Sequence, residues 1–335
     1  MILANTEVQA QVEGIKSKAF GLQMNSKVYD MLINKLYVNK AGSVIRELSC
    51  NAYDSHCDAG CPEKPFELYM PTWIDLNFGI RDFGTGIPHD KFEDIYTNVG
   101  QSTKDSTNEF IGGFGIGSKS PFAITDTFIV TNWNAGIKTT WACFKSNGTP
   151  EVAEVGREES DEPSGLQVAF SFTNKDTVRE FERELLKQLQ FFPVKPVITG
   201  KSQDIAWPEI PDLGSSDTYY YMNEGNGRYN NNNYVVMGNV GYLFSANDVD
   251  GYYSTFHSLF NSEGSLVLLA PLGSVDIPPS RENLELTPKT KAFIKGACEE
   301  ILETYSKEFL ANLEAQPNLL EAQKFTYNSN KDLVK

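Results

Sequence analysis

Positive charge is scarce in this sequence: Lys and Arg total 29 against 44 Asp and Glu, a formal net charge of −15. Sequence-independent binding to nucleic acid needs a cationic footprint that displaces counterions, so general nucleic-acid binding is excluded as a function class. Cysteine is sparse as well. Cys50, Cys57, Cys61, Cys143 and Cys298 are an odd number in a chain long enough to fold without staples, which argues against a disulfide framework and fits reduced thiols. Cys57 and Cys61 beside His56 could be a fragment of a zinc site, but no second ligand pair follows at a useful spacing. Long apolar runs are missing too, since no window approaches the about 18 apolar residues of a spanning helix. The first twenty residues lack a basic stretch followed by an apolar core, so the expectation is a chain without a signal peptide, resident in the cytoplasm.

What is present is ordinary soluble protein. The 335 residues are 40% hydrophobic and 22% charged, enough for two domains or three small ones. Residues 26–59 read as two helical segments, SKVYDMLINKL and SVIRELSCNAYDSHCDA, the second N-capped by Ser43 and stopped by Gly60 and Pro62. FELYM and WIDLNFGIRD alternate as strands do. A turn-rich FGTGIPHD and a loop-rich stretch over 92–118 follow. TDTFIVTNWN, IKTTWACFK and LQVAFSF then read as strands of one sheet, with GREESDEPSG as an acidic loop. Thr177 and Glu180 form a capping-box pair ahead of the apolar stripe Val178, Phe181, Leu185 and Leu189, which opens a second segment. Residues 212–240, rich in Tyr, Asn, Gly and Ser, read as a surface excursion in which NYVVM is a candidate strand. SLVLLAPLG and a final helix from Thr287-Pro288, with Ile294, Cys298, Ile301 and Tyr305 inward, close the reading. The domain expectation is a strap over 1–25, a first α+β domain over 26–175, a second α/β domain over 176–313 and a tail over 314–335.

Three motifs carry chemistry. Glu47, Asn51 and Asp54 share one face of the second helix at i, i+4 and i+7, while Val44, Leu48, Ala52 and Ser55 make the other. A carboxylate can order and deprotonate water, and an amide oxygen suits Mg²⁺. Taken alone, such a polar face is more often merely solvated. Asp82-Phe83-Gly84-Thr85-Gly86-Ile87 follows a strand, and suits a turn in which backbone closes on a planar ligand while the carboxylate accepts a hydrogen bond; an ordinary Asp-Gly turn is the competing reading. Ile111-Gly112-Gly113-Phe114-Gly115-Ile116-Gly117-Ser118-Lys119 is a glycine-rich loop able to aim backbone N–H groups at phosphate. Its spacing is neither that of a Walker A loop nor that of the dinucleotide fingerprint.

In this order, E-x-x-x-N, D-x-G-x-G and G-x-x-G-x-G resemble the Bergerat ATP-binding fold of the GHKL superfamily, which includes gyrase B, MutL, histidine kinases and the 90-kilodalton heat-shock chaperone. That resemblance implies a mixed sheet covered by helices, followed by a transducer-like α/β domain, with ATP and Mg²⁺ as ligands. It implies Glu47 as general base, Asn51 as the Mg²⁺ ligand and Asp82 as partner of the adenine amino group. Gly84, Gly86 and Ile87 would shape the adenine pocket, with Asp54 beside them. Gly113, Phe114, Gly115, Ile116, Gly117, Ser118 and Lys119 would wrap the phosphates, and Lys104 would be a further phosphate ligand. VDIPPSRENLEL is similar to the chaperone segment whose Arg meets the γ-phosphate, which nominates Arg281. Two departures stand out: Leu166 occupies the place of a Thr whose hydroxyl supports the adenine-binding Asp in many members, and Gly113 stands where the chaperone has Gln.

GIKSKAF, LYVNKAGSVIRELSCNAYDSH, EFIGGFGIGSKSPFAITDTF and LGSVDIPPSRENLEL also resemble the N-terminal half of the rIIA family of T-even bacteriophages, whose members are larger. That likeness implies a phage protein acting in the infected bacterium, peripheral to the inner membrane, with roles in lysis inhibition and prophage exclusion. The sequence itself carries no amphipathic basic helix for membrane contact. The leading expectation is a slow, Mg²⁺-dependent ATPase that switches conformation as an ATP-dependent homodimer. The alternative is a non-hydrolysing, nucleotide-stabilised module that binds a host, phage or defence protein. A histidine kinase is disfavoured because none of His56, His89 and His257 lies on a dimerisation helix ahead of the motifs; a gyrase-like role is disfavoured by charge.

Overall fold

The computed structural model describes residues 26–29, 31, 35–97, 117–200, 205–211, 214, 217–222, 232–245, 248 and 265–333. Contacts divide the chain into two compact units, Met1–Leu185 with Val194–Asp204, and Leu186–Pro193 with Ile205–Lys335.

In the first unit, α1 (Ser26–Tyr29) and α2 (Lys40–Asp58) precede a sheet of β1 (Glu67–Tyr69), β2 (Asn77–Arg81), β3 (Thr127–Asn134), β4 (Ile137–Ser146), β5 (Thr149–Glu159), β6 (Gly165–Ser171) and β7 (Val197–Thr199). The strand order is β5-β4-β3-β6-β2-β1-β7, antiparallel except for the β1–β7 pair. Alternation along each strand sends one set of side chains to the buried face. The register aligns Phe78 with Phe170, and Ile80, Val168, Val130 and Trp141 in one cross-strand row. Helix α4 (Asp176–Leu189) packs Phe181 on this face, 4.8 Å from the Phe78 ring and stacked on Phe172 at 5.7 Å. Helix α3 (His89–Thr97) covers the β4 end, where Phe92 stacks on Trp141 at 4.4 Å.

The second unit holds β8 (Tyr219–Met222), β9 (Asn233–Met237), β10 (Val240–Phe244) and β11 (Ser265–Ala270) in the order β10-β9-β11-β8. Phe191, Tyr220, Met222, Tyr234, Val236 and Val267 form a core cluster on that sheet. Helices α5 (Pro288–Glu314) and α6 (Leu319–Leu333) follow, with Phe309 and Phe325 stacked at 5.4 Å. Thr287 caps α5 by accepting from the Thr290 N–H, with Pro at the first turn, and Ile294, Cys298 and Ile301 are buried, as the spacing predicts.

Several expectations need correction. Asn39, not Ser43, caps α2: its Oδ1 accepts from the Gly42 N–H at 3.0 Å, and Ser43 lies inside the helix accepting from Arg46. Asn174 rather than Thr177 caps the start of α4, through the Asp176 N–H at 3.0 Å. Residues 89–97, inside the expected turns and loop, are helix α3, because Phe92 and Tyr96 bury one stripe. GREE at 156–159 is the end of β5, not a loop; as an edge strand it keeps its charges in water. Within the expected excursion over 212–240, β8 is half-buried and β9 is buried throughout. The expected tail carries α6.

Candidate functional site

Helix α2 stands against the sheet with 13 of its 19 residues buried, Glu47 and Asp54 among them, which removes the solvated reading of its polar face. Glu47 is 6% exposed and Asp54 3%, whereas Asn51 is half-buried. Arg46, also buried, donates from Nε to Glu47 Oε1 at 3.2 Å and from Nη2 to Ser43 Oγ at 3.3 Å, fixing the carboxylate's orientation. The end of the glycine-rich motif arrives at this carboxylate. A Cβ on Gly117 would lie 2.9 Å from Glu47 Oε2 and 3.6 Å from Asn51 Nδ2, so a side chain here would press on the Glu47 carboxylate. From Gly117 the chain enters a 3-10 helix, Gly117–Ala123.

Asp82 follows β2 and is 6% exposed. Its Oδ1 accepts from the Gly84 N–H at 2.9 Å and from Ser55 Oγ at 3.1 Å. Burial pushes the carboxyl up from its ordinary range, opposed by these hydrogen bonds and by His56 and Arg81 nearby. Gly84 is compulsory here, because its Cβ would sit 2.0 Å from Ser55 Oγ and 2.7 Å from the Ser55 carbonyl. Gly86 has φ +67 with its Cβ position 2.3 Å from the Trp133 carbonyl. Ile87 is held by Asn132, which accepts from its N–H at 2.8 Å and donates to its carbonyl at 2.9 Å.

Besides Asn132, two supporting side chains on α2 escape sequence reasoning. Buried His56 accepts from the Phe83 N–H at its Nε2 (2.7 Å), and its Nδ1 donates to the Lys64 carbonyl (2.8 Å), since an N–H can only donate and a carbonyl only accept. The ring thus ties α2 to the Asp-Gly turn. Ser55, assigned by spacing to the apolar face, instead reaches the Asp82 carboxylate. On the sheet's other face, Arg81 stacks on Trp133 at 3.7 Å and donates to the Asp82 and Pro163 carbonyls.

The structure therefore brings Glu47, Asn51 and Gly117 together, and joins Asp82, Gly84, Gly86 and Ile87 through Ser55 and Asn132. Ser118 is half-buried beside Gly117. The Lys119 amine donates to the Ile95 carbonyl at 3.0 Å, near the end of α3 where a helix leaves carbonyls without intrahelical partners. Burial lowers this amine to about 8. Lys104, Gly113, Phe114, Gly115 and Ile116 lie outside the described residues, as does the strap over 1–25. Arg281 is in the second unit, 3% exposed, with φ +54, a left-handed conformation that costs a non-glycine residue energy. Its loop is closed by the Asp276–Glu285 bridge and tied to α5 by Thr287 Oγ1 donating to Asp276 at 2.6 Å. Among the described residues no three His, Cys, Asp or Glu gather to hold a metal, the Cys57–Cys61 region included, and no helix is long and apolar enough to cross a membrane.

No family model matches the chain. Among curated proteins it is similar to the chaperone protein HtpG of Paramagnetospirillum magneticum, 26% identical over 315 aligned positions that cover 83% of this chain and 47% of that protein. HtpG of Buchnera aphidicola is 24% identical, covering 96% and 56%, and HtpG of Mycolicibacterium vanbaalenii 25%, covering 59% and 33%. The chain spans about half the length, or less, of these relatives. It is a weak homologue of the HtpG chaperones, which are members of the GHKL ATPase superfamily, and its mixed α+β architecture is consistent with their ATP-binding fold.

Proposed function

We propose that the chain is a chaperone-like ATP-binding module of the GHKL type that hydrolyses ATP slowly with Mg²⁺. The observation that carries this reading is the approach of Gly117 to a buried carboxylate and a half-buried amide of one helix, together with a buried Asp in a turn that demands glycine at 84. Gly84, Gly86 and Gly117 let the turn and the loop end close on Ser55, Trp133 and Glu47, which fixes Asp82 and Glu47 where a base and phosphates would be met. Asn51 would hold Mg²⁺, which when bound neutralises phosphate charge. Glu47, aimed by Arg46, accepts the proton of the attacking water. Arg281 is the residue assigned to the terminal phosphate, where a guanidinium stabilises developing charge. Dimerisation in the ATP state and a role in the phage-infected bacterium, in lysis inhibition or exclusion or against host functions, are the finer parts of the proposal; the likeness to HtpG supports the dimer, and the segments that resemble the rIIA family support the phage role.

The test is ATP hydrolysis by wild type beside Glu47→Ala, with bound nucleotide and oligomeric state followed in the same samples. The expected result is turnover in wild type only, with ATP retained by the variant in a dimer. ATP binding without turnover in either protein would replace the enzyme by a nucleotide-stabilised binding module. Absence of ATP binding in wild type would overturn both.

A further inference from the structure

Beyond the Ile80–Val168–Val130–Trp141 row, the next row on the buried face of the sheet is polar with one exception: Asp82, Leu166, Asn132 and Thr139. The Asp82 N–H donates to the Leu166 carbonyl at 2.9 Å, and Leu166 pairs with Asn132, which pairs with Thr139. Residues directly opposite in a sheet project to the same side. Asn132 is committed to the Ile87 backbone, and Thr139 Oγ1 accepts from Trp141 Nε1 at 3.1 Å. Leu166, opposite Asp82, brings no donor. Among the described residues the carboxylate draws one side-chain hydrogen bond, and it comes from the other layer, where Ser55 Oγ of α2 donates to Oδ1. Together with the Gly84 N–H this saturates Oδ1, and Oδ2 carries no hydrogen bond among the described residues.

We propose that Ser55 is a specificity-determining positioning residue: by occupying Oδ1 it presents Oδ2 as a pure acceptor, so the site selects a purine with a 6-amino group over its 6-oxo analogue. The inference rests on the reading of Asp82 as the base-binding residue. Its physical basis is a competition. Burial favours the neutral carboxyl, which can donate to a 6-oxo group, whereas hydrogen bonds to the charged form favour the carboxylate, which can only accept. The groups facing Asp82 are Ser55 and His56 from α2, Arg81 beside it on β2 and Tyr96 from α3. Of these, Ser55 is the one whose hydrogen bond is made to the carboxylate itself.

The experiment is titration calorimetry of ATP and of inosine triphosphate, the 6-oxo analogue, against wild type, Asp82→Asn, Ser55→Ala, Leu166→Thr and Ser55→Ala/Leu166→Thr. A hydrogen bond to a charged group sets the scale, so Ser55→Ala is expected to weaken ATP about tenfold while leaving inosine triphosphate little changed. Its loss of ATP affinity on acidification is expected to begin at higher pH than in wild type, because Asp82 has lost a partner of its charged form. Leu166→Thr, which places a hydroxyl opposite Asp82, should restore affinity, preference and pH profile in the double variant. Alone it should widen the preference, whatever Ser55→Ala does to folding. An unchanged ATP-to-inosine-triphosphate ratio in both Ser55→Ala and Leu166→Thr overturns the role of Ser55. Wild type that fails to bind ATP, or Asp82→Asn that binds it as wild type does, removes instead the reading of Asp82.

Discussion

Glycine at 165 illustrates how a residue with no side chain serves the site. It has φ +138, and a Cβ there would lie 2.2 Å from the Asp82 carbonyl and 2.9 Å from Arg81 Nη1. Gly165→Ala is therefore expected to cost about 2 kcal/mol or more in urea unfolding and to weaken ATP binding with it, because relief of the clash must move Asp82. Lys119 makes a prediction of a different kind. Its folded value is lowered to about 8 by burial from an ordinary 10.5, so between these values the unfolded chain binds more protons and stability rises with pH. Burial does the same to Lys195, also lowered to about 8. The buried thiols of Cys143 and Cys298, raised by burial from 9.0 to about 12, offset this trend from pH 9 upward, and the phenols of Tyr53 and Tyr220, raised by burial from 10.0 to about 12, turn it over. Unfolding midpoints are thus expected to climb from pH 7.5 to about 9 and then fall. Lys119→Met should flatten the climb; an unchanged slope means that the amine is not buried in solution.

At the scale of elements, the cap of α2 is the most exposed to test. Asn39 Oδ1 accepts from Gly42 while its Nδ2 donates to Glu184 at 2.7 Å, joining α2 to α4. Asn39→Ala should cost about 1 kcal/mol in urea unfolding. Aspartate, ordinarily as good a cap, should recover little of this, since it sets a carboxylate against Glu184, itself buried; full recovery by Asn39→Asp would show that the α4 contact contributes nothing. The same comparison explains what could be read from the sequence. β2, β3, β4 and β6 were legible because apolar residues recur at every second position along them, and α2 because its polar triad and its Gly60 stop have fixed spacing. β5 was not, because both its faces meet water and charge there looks like loop; nor was α3, with only Phe92 and Tyr96 buried among nine residues. Of the site, Glu47, Asn51 and Asp82 were legible as motif letters. Ser55 was not: helical spacing fixes its direction on α2, but only the tertiary approach of the Gly84 turn decides that a carboxylate lies there. His56 and Asn132 escaped for the same reason, since each acts on a backbone segment distant in sequence.

For the whole molecule, division into two compact units predicts two melting transitions, and linkage then makes the nucleotide a probe of which unit it touches. A ligand held by Glu47, Asn51 and Asp82 alone stabilises the first unit, by about 2.7 kcal/mol at a concentration 100-fold above Kd, and leaves the second transition where it was. The assignment of Arg281 to the terminal phosphate demands more. ATP then raises both transitions, whereas ADP, which lacks that phosphate, raises only the first. Arg281 is held at φ +54 in a loop anchored on α5, a left-handed backbone that a non-glycine residue adopts only at some cost. Arg281→Gly should reduce the response to ATP to that seen with ADP. Scanning calorimetry of both proteins with each nucleotide reads all four outcomes together. Identical responses of wild type to ATP and ADP would take Arg281 out of the site and leave its strained conformation to the fold of the second unit alone.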